Sequence, residues 1–498
     1  MLEPRDFIRT KIIATVGPAS SEMDVLVRMI EAGARVFRLN FSHGKLDEHA
    51  VTLNNIRAAA EQAGVPIAAL GDLSGPKLRV GEVAGDGIEL AMGDTVEFVR
   101  EPVTATRPTA ADAPVRFSLT QPDLIDDVAE GHRVLIDDGA VRLLAVDCDG
   151  ARLRCVVTVG GRVTTRKGVN LPDSHLRVPS MTDHDWRCVD WAASHELDFL
   201  ALSFVRSADD VRTLKAALVE RAAPGAVPIP VISKIEKPQA IEDIDAILDA
   251  SDGVMVARGD LGVEMELTEV PLIQKRVIEL AREHGRPVIV ATQMLQSMID
   301  TPSPTRAEVS DVANAILDGA DAVMLSGETA VGKYPVVAVR MMGKIATRIE
   351  EASRSGLLRI DPPPMLRDSR YRTAALAHGV STVVRDLGAV LVIVWSQRGG
   401  GARYLSLHRP GVPVIAASSS DVALRRMSML YAVCPVKLAQ PTSVEAFVES
   451  IDRMLLDDGW AQKGDAVIVV TGEPIGAVGV TNKLRIHYVG ESDAPRQT

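Results

Sequence analysis

The segment PVISKIEKPQAIEDIDAILDASDGVMVARG, residues 230–259, contains the unit from which most of this chain is built. Its two ends, PVISKIE (230–236) and GVMVARG (253–259), are short apolar runs of the kind that form buried strands. Between them, QAIEDIDAILDAS (239–251) places apolar residues three and four positions apart, as an amphipathic helix does. The segment therefore predicts two parallel strands joined by a crossover helix.

Runs of this kind occur eight times, and segments with helical periodicity, such as EMDVLVRMIEAGA (22–34) and EVPLIQKRVIELAREHG (269–285), separate many of them. The eight runs are KIIATVG (11–17), RVFRLNF (35–41), PIAALGDL (66–73), FLALSF (199–204), PVISKIE (230–236), GVMVARG (253–259), PVIVATQM (287–294) and AVMLSGE (322–328). Eight successive βα units predict an α/β fold, a (β/α)8 TIM barrel.

The barrel pattern is interrupted between the third and fourth runs. Short alternating strands with Gly and Asp turns replace it there, as in DTVEFV (94–99) and HRVLIDDG (132–139). We expect a catalytic barrel at 1–75 and 177–350, with an inserted β-barrel lid domain at 76–176. After a Pro-rich linker, strands such as AVLVIVWS (389–396) and AVIVVTG (466–472) predict a C-terminal α/β domain over 351–498.

The composition excludes several classes of protein. A net charge of −11 over 498 residues argues against nucleic acid or an anionic membrane as the main partner, although a local cationic pocket can still bind a small anion. The N-terminal MLEPRDFIRTK has no apolar signal core, and no run reaches transmembrane length. The four cysteines lack the spacing of metal ligands, which favours reduced thiols and a cytoplasmic protein.

Polar residues follow most of the predicted barrel strands. Any one of them is most often a solvated loop residue, but the carboxyl ends of barrel strands meet at one face, where active sites form. Together they indicate one shared site, composed of Arg38, Asn40, Ser42, Asp72, Lys234, Glu236, Asp260, Thr292, Ser326 and Glu328.

The residue types in this set favour phosphoryl transfer. Glu236 and Asp260, from neighbouring strands, offer the oxygen ligands that Mg²⁺ takes together with water and substrate oxygens. Lys234 beside them supplies a positive charge for a phosphoryl group in transfer. The segment GETAVGKY (327–334) has a phosphate-loop skeleton, but Tyr334 replaces the required Ser or Thr, so a chance match is the better interpretation.

At this point the motifs resemble those of the pyruvate kinase family, in order and spacing, over essentially the whole chain. They are TKIIATVGPAS (10–20), RLNFSHG (38–44), SKIE (233–236), SDGVMVARGDLGVE (251–264) and PTRAEVSDVANAILDGADAVMLSGETAVGKYP (304–335). The resemblance implies a mobile lid, a regulatory C-terminal domain and a homotetramer. It also implies glycolytic transfer of the phosphoryl group of phosphoenolpyruvate to ADP, with Mg²⁺ or Mn²⁺, to give pyruvate and ATP.

The resemblance also implies residue roles. Lys234 and Arg38 would meet the transferring phosphoryl group, Thr292 would lie beside the enolate, and Ser326 would belong to a proton relay. Glu236 and Asp260 would hold the divalent metal. The substrate carboxylate would be surrounded by the backbone of Ala257, Arg258 and Gly259, and the ADP contacts would be Arg79 and Lys167, with Pro18 and His43 near the nucleotide.

Members that require K⁺ hold it at positions matching Asn40, Ser42, Asp72 and Leu73, and the last of these is normally Thr. Here it is an apolar Leu, and Lys77 stands where those members have an acid. The tethered ammonium of Lys77 would supply the charge that K⁺ brings elsewhere, so we expect no requirement for K⁺. The alternative is that Lys77 is a solvated residue on the lid hinge.

The Gly-rich turn SQRGGGAR (396–403) predicts an effector site in the C-terminal domain, together with TGEPIG (471–476). Backbone amides of such a turn can bind phosphate, and the expected contacts are Ser396, Arg398, Gly399 and Gly400. A plain tight turn is the alternative. Sugar-phosphate-activated relatives carry Ser and Thr here, so another phosphorylated metabolite or a nucleotide is equally open.

Two other functions fit part of the pattern. A Mg²⁺-dependent barrel lyase acting on a 2-oxo acid would also use a Glu and Asp metal pair. A metabolite sensor could keep the effector domain and lose catalysis. The lid lysine, Lys167, argues against the lyase, which has no ADP to bind, and Lys234, Glu236, Asp260 and Thr292 argue against the sensor.

Overall fold

A computed structural model describes residues 7–110, 113–354, 372–476 and 479–491. Three units with separate hydrophobic cores are present: a closed parallel barrel, a β domain inserted in it, and a C-terminal α/β domain. The predicted linker RSGLLRIDPPPML (354–366) lies outside the described residues from position 355 onward. The predicted fold class, including the inserted domain, is confirmed, whereas the exact domain boundaries stay predictions.

The strands run in chain order through these three units. The barrel begins with β1 (Lys11–Thr15), β2 (Ala34–Asn40) and β3 (Ala68–Asp72). The inserted domain contains β4 (Ile88–Leu90), β5 (Thr95–Val99), β6 (Val115–Ser118), β7 (Arg133–Ile136), β8 (Val141–Cys148), β9 (Arg152–Val159), β10 (Gly161–Val163) and β11 (Val169–Asn170). The barrel resumes with β12 (Phe199–Leu202), β13 (Val231–Ile235), β14 (Gly253–Ala257), β15 (Val288–Ala291) and β16 (Ala322–Leu325), and the last sheet has β17 (Leu391–Trp395), β18 (Val414–Ser418), β19 (Val433–Lys437), β20 (Ala466–Thr471) and β21 (Lys483–Tyr488).

The helices belong to the barrel and the C-terminal domain, apart from a 3-10 helix at Pro122–Asp127 in the lid. Those of the barrel are α1 (Met23–Glu31), α2 (Leu46–Ala63), α3 (Asp183–Ser194), α4 (Ala208–Arg221), α5 (Pro238–Glu242), α6 (Ile244–Ala250), α7 (Arg258–Glu264), α8 (Val270–Glu283), α9 (Arg306–Asp318), α10 (Gly327–Ala330) and α11 (Pro335–Arg354), with a 3-10 helix at Gln296–Ile299. Those of the C-terminal domain are α12 (Arg372–Leu387), α13 (Gly400–Leu407), α14 (Asp421–Met427) and α15 (Val444–Asp457). None of the helices in the described part of the chain is long and apolar enough to cross a membrane.

The barrel closes in the order β1, β16, β15, β14, β13, β12, β3, β2, and every pairing is parallel. Seven of the eight predicted runs contain one of these strands, and the run at 35–41 contains all of β2 except Ala34. Alternate strand residues fill the interior, among them Ile13, Val36 and Met255, while the intervening ones pack against the helices. This arrangement brings the carboxyl ends of all eight strands to one face.

The inserted domain, which we call the lid, leaves the barrel after β3 and returns before α3. Its six-stranded sheet has the order β11, β7, β8, β9, β5, β6, and β10 pairs with β4. The lid also touches the barrel directly, because Asn170 donates a hydrogen bond to Glu264 Oε1 at 2.7 Å. Lys237 lies 2.5 Å from the same oxygen, so Glu264 joins lid and barrel.

The C-terminal sheet has five strands in the order β19, β18, β17, β20, β21, and only β21 is antiparallel. β19 was not among the predicted strands, because its central Pro435 weakens the strand pattern; proline in a sheet is usually confined to edge strands such as this one. The domain docks on the barrel face opposite the polar strand ends. There Arg425 lies 2.7 Å from the fully buried Asp198, and Arg409 lies 3.1 Å from Asp321.

Candidate active site

A polar cavity of about 90 Å³ lies at the carboxyl ends of the barrel strands. It brings together nine of the residues predicted from the sequence: Arg38, Asn40, Ser42, Asp72, Leu73, Lys77, Lys234, Glu236 and Asp260. Ser74, Ser203 and Phe204 also line it, and sequence analysis did not select them. The alternation of β12 could have indicated Ser203, because FLALSF places it just past the strand end.

Lys234 is the centre of this cavity. Its Nζ lies 2.7 Å from Glu236 Oε1 and 3.4 Å from Asp72 Oδ1, and it donates to Ser203 Oγ at 2.7 Å. Burial lowers the pKa of this ammonium, but the carboxylates of Asp72, Glu236 and Asp260 outweigh burial and raise the pKa above its ordinary value. Lys234 is therefore a permanently charged group in a site from which bulk water is largely excluded.

Asp72 links Lys234 to a second cation. Arg38 Nε lies 2.7 Å from Asp72 Oδ2, and Arg38 Nη1 donates to Thr15 Oγ1 at 3.1 Å. Burial raises the pKa of Asp72, but Lys234 and Arg38 together lower it below its usual range. The ionised carboxylate thus fixes both cations before any substrate binds, which reduces the reorganisation that a negatively charged substrate must cause.

Glu236 has the properties of a metal ligand. Its side chain is 1% exposed, and its Oε2 accepts from the Phe204 amide at 2.9 Å. Its Oε1 forms the 2.7 Å ion pair with the Lys234 ammonium. Burial raises the pKa of Glu236, Lys234 opposes that change, and Asp260 adds to it.

The donor set around Glu236 fits a hard divalent cation. Within the described ranges no group of three or more His, Cys, Asp or Glu side chains is arranged to hold a metal. Glu236 and Asp260 line one cavity, and an ion that keeps water and takes substrate oxygens needs only one or two protein carboxylates. The two carboxylates can hold an ion that also takes substrate oxygens, and they do not form a closed structural metal site.

The predicted substrate residues of β14 and β15 lie beside the cavity in close contact with each other. A Cβ added to Gly259 would lie 2.6 Å from Thr292 Cγ2, so a larger residue does not fit there. Thr292 has a φ of 74°, in the left-handed region that β-branched residues rarely adopt. The side chain of Arg258 does not line the cavity; it donates to the carbonyl oxygens of Ala291 and Thr292 at 3.3 and 2.7 Å.

Ser326 follows β16 and is fixed by Glu328, which is fully buried. Glu328 Oε2 accepts from the Ser326 amide at 2.7 Å, and Oε1 accepts from the Leu295 amide at 3.0 Å. One carboxylate thus joins the segments that follow β15 and β16. Sequence analysis placed Glu328 among the strand-end residues without this connecting role.

The four predicted nucleotide contacts lie outside the cavity. Arg79 Nη1 donates to the Arg166 carbonyl oxygen at 2.9 Å, and Lys167 lies 2.8 Å from Asp137, so both are bound within the lid. Pro18 and His43 are exposed on loops that follow β1 and β2. Arg79 and Lys167 are close to each other, because Arg79 forms an antiparallel β-bridge with Gly168.

Two other cavities lie in or against the C-terminal domain. One, of about 240 Å³, is lined by Ser396, Arg398 and Gly400 together with Gly472 and Gly476, so the two predicted effector segments meet. Gly399, at the start of α13, has a φ of 83°. The larger cavity, of about 690 Å³, lies near Lys11, between the C-terminal domain and the barrel. It is on the face of the barrel opposite the cavity that contains Lys234.

The fold and its charged cluster are those of a barrel phosphotransferase. Residues 7–339 match the family model for the pyruvate kinase barrel domain, and residues 374–487 match the model for the pyruvate kinase alpha/beta domain. The chain belongs to the pyruvate kinase family.

Similar proteins match over nearly the whole chain. The chain is 40% identical over 486 residues to a pyruvate kinase of Mycobacterium tuberculosis, covering 97% of this chain and 99% of that protein. It is 40% identical over 492 residues to one of Methylorubrum extorquens, with 98% and 99% covered. The crystal structure of a pyruvate kinase from Cryptosporidium parvum superposes with a TM-score of 0.87 at 32% identity, covering 98% of this chain and 97% of that one.

Proposed function

We propose that the protein transfers the phosphoryl group of phosphoenolpyruvate to ADP and forms pyruvate and ATP, as the glycolytic pyruvate kinase of its cell. The observation that carries this proposal is the buried cluster of Lys234, Asp72 and Glu236, with Arg38 held by the same aspartate. Preorganised cations at the point where phosphoryl charge develops are what this reaction demands of a protein.

Each residue of the site then has a role. Arg38 and Lys234 bind the phosphoryl oxygens, and Lys234 follows the group as it passes to ADP. The backbone of Ala257, Arg258 and Gly259 surrounds the substrate carboxylate. Thr292 orients the enolate, and Ser326 belongs to the relay that delivers a proton to its carbon. Arg79 and Lys167 approach the ADP phosphates from the lid, with Pro18 and His43 near the nucleotide.

Glu236 and Asp260 would hold Mg²⁺ or Mn²⁺. The bound ion supplies positive charge to the enolate and phosphoryl oxygens. The common cavity of the two carboxylates supports this assignment.

The monovalent-cation region supports activity without K⁺. Leu73 is 1% exposed and offers an apolar side chain where an oxygen ligand would be needed. Asn40, Ser42, Asp72 and the otherwise exposed Lys77 line the same cavity, which supports a role for the Lys77 ammonium as a source of positive charge there.

Regulation, assembly and location complete the proposal. A phosphorylated effector binds at Ser396, Arg398, Gly399 and Gly400, and the meeting of residues 396–401 with Gly472 and Gly476 around one cavity supports this site. The active form is a cytoplasmic homotetramer, and the domain boundaries are those given above.

The test is an assay coupled to lactate dehydrogenase, with phosphoenolpyruvate, ADP and Mg²⁺. We expect pyruvate formation that depends on ADP and that excess EDTA abolishes. Pyruvate formation without ADP would favour a lyase, and no turnover would favour a metabolite sensor. Undiminished activity in EDTA would contradict the metal assignment.

A further inference from the structure

Asp185, in the first turn of α3, is a fully buried carboxylate that binds both chain segments connecting the barrel to the lid. Its Oδ1 accepts from the amides of Ser74 at 2.8 Å and Gly75 at 3.2 Å, where the chain leaves β3 for the lid. Its Oδ2 accepts from the Thr182 amide at 2.8 Å and the Thr182 hydroxyl at 2.6 Å, where the chain has returned. One side chain therefore holds both ends of the lid connection.

In this contact both side-chain oxygens of Asp185 act as hydrogen-bond acceptors. A carboxylate presents only acceptors, so it satisfies all four donors. An asparagine of the same shape presents an amide nitrogen on one side, and two of the four donors would then face another donor in a buried site.

The outgoing segment also forms part of the candidate active site. Leu73, Ser74 and Lys77 line the cavity, and the Lys77 amide donates to the Gly75 carbonyl oxygen at 3.0 Å. Gly75 has a φ of 67°, and a Cβ there would lie 2.4 Å from Phe204 Cδ2. This turn is thus seated against Phe204, whose amide binds Glu236. A shift at Ser74 or Gly75 would move one wall of the cavity.

We propose that Asp185 is a positioning residue that fixes the lid hinge and, through Ser74 and Gly75, sets the wall of the phosphoryl cavity formed by residues 73–77. The proposal rests on the proposed function, because the value of the hinge lies in bringing the lid residues Arg79 and Lys167 to ADP. The residues proposed to bind phosphoenolpyruvate, among them Arg38 and Lys234, lie on the barrel, so a shift of this cavity wall is expected to lower kcat more than it weakens phosphoenolpyruvate binding.

The kinetic test compares Asp185→Asn with Asp183→Asn, which removes the same charge from an exposed position in the same helical turn. We expect Asp185→Asn to raise the KM for ADP at least about fivefold and to lower kcat, while the KM for phosphoenolpyruvate changes less than about twofold. Asp183→Asn should leave all three unchanged. A merely structural defect would lower kcat without separating the two KM values.

Hydrogen exchange tests the hinge without relying on activity. In Asp185→Asn the amides of Ser74, Gly75 and Thr182 should exchange at least about tenfold faster, with the amides of β13 to β16 unchanged. If that variant does not fold, Thr182→Val should give faster exchange at Ser74 and Gly75 on a smaller scale, because it removes the hydroxyl that donates to Asp185 Oδ2 and accepts from the Asp185 amide. Equal exchange and an equal KM for ADP in the variant and the wild type would overturn the proposal. Absence of phosphoryl transfer in the wild type would instead contradict the proposed function and leave exchange to decide the role of Asp185.

Discussion

Arg258 holds Thr292 in place: its Nη2 donates to the Thr292 carbonyl oxygen at 2.7 Å, at a residue whose backbone lies in the left-handed region. The guanidinium is itself fixed by Asp311, whose carboxylate lies 2.7 Å from Nη1. A strained backbone persists only where its surroundings determine it, and here the planar, multi-donor guanidinium does so. The side chain of Arg258 therefore fixes the backbone conformation of Thr292, which follows the neighbouring strand β15.

Replacing Arg258 with Lys should lower kcat/KM for phosphoenolpyruvate by about 10-fold to 100-fold, because an ammonium cannot reach both carbonyl oxygens and Asp311 at once. Steady-state kinetics with phosphoenolpyruvate varied measures this. The control is Arg276→Lys, an exposed position on α8, which should leave kcat/KM unchanged. Equal kinetics for the two variants would contradict a positioning role for the Arg258 side chain.

Replacing Lys234 with Met should lower kcat by several orders of magnitude and change the KM for phosphoenolpyruvate little, because this interaction is made mainly in the transition state. Lys237→Met is the matched control, since Lys237 is also a buried lysine paired with a carboxylate, Glu264, but does not line the cavity. It should retain kcat within about tenfold of the wild type. More than about a tenth of wild-type kcat in Lys234→Met would remove Lys234 from its role.

The wild type should be nearly fully active with Na⁺ or tetramethylammonium as the only monovalent cation, because the Lys77 ammonium supplies the charge. The double change Lys77→Glu with Leu73→Thr should create dependence on K⁺, since it restores an acid and an oxygen ligand. Rates measured across the three cations check both statements. Activation of the wild type by K⁺ of tenfold or more, on the order of 1.4 kcal/mol of transition-state stabilisation, would refute this role of Lys77.

Phosphorylated sugars or nucleotides should change the cooperativity of phosphoenolpyruvate saturation by binding at the Gly-rich turn before α13. Gly400→Asp places a negative charge in the cavity of Ser396 and Arg398 and should abolish the response while leaving the basal rate unchanged. A screen of saturation curves with and without each compound provides the measurement. If none of the compounds alters the curve, no effector of this class binds there.

Lys11, which is 2% exposed and donates to the Val433 carbonyl oxygen at 2.8 Å, should make a contribution to stability that becomes more favourable as pH rises above neutrality. Burial, together with Arg35, lowers the pKa of Lys11 to about 7. In the unfolded chain the lysine pKa is about 10.4. Between about pH 7 and pH 10.4, Lys11 is therefore protonated in the unfolded state and largely neutral in the folded state, so its contribution to folding becomes more favourable as pH increases.

The Lys11→Met variant tests this dependence. It should melt at a higher temperature than the wild type at pH 7, and the difference should shrink by about pH 9, where the wild-type lysine is neutral in the folded state. Thermal melting at the two pH values measures this. A difference that stays constant would show that Lys11 does not titrate near neutrality.

Much of the barrel could be predicted because periodicity is a local property of the sequence. Each of the eight runs proved to correspond to a strand, and most residues selected at strand ends meet in one cavity. The sequence did not show in which direction each side chain points. Arg258 was expected at the substrate through its backbone, and nothing in its neighbours showed that the guanidinium binds Thr292. In the sequence, Asp185 is an ordinary acidic residue near a helix N-terminus. Only the structure shows that its two oxygens bind the segment that leaves for the lid and the segment that returns from it.

Strands β3 and β12 are neighbours, with Leu70 opposite Phe199, although the whole lid lies between them in the chain. Each doubling of the length of a connecting loop adds only about 0.6 kcal/mol to the entropy cost of closure, so an insertion of this size is tolerated. During synthesis, the lid with its own core is complete before β16 exists, and β1 has no partner on that side until β16 arrives. A nascent chain that ends just before β16 would thus carry a folded lid on an open barrel of seven strands, which lacks a complete ring of strand ends.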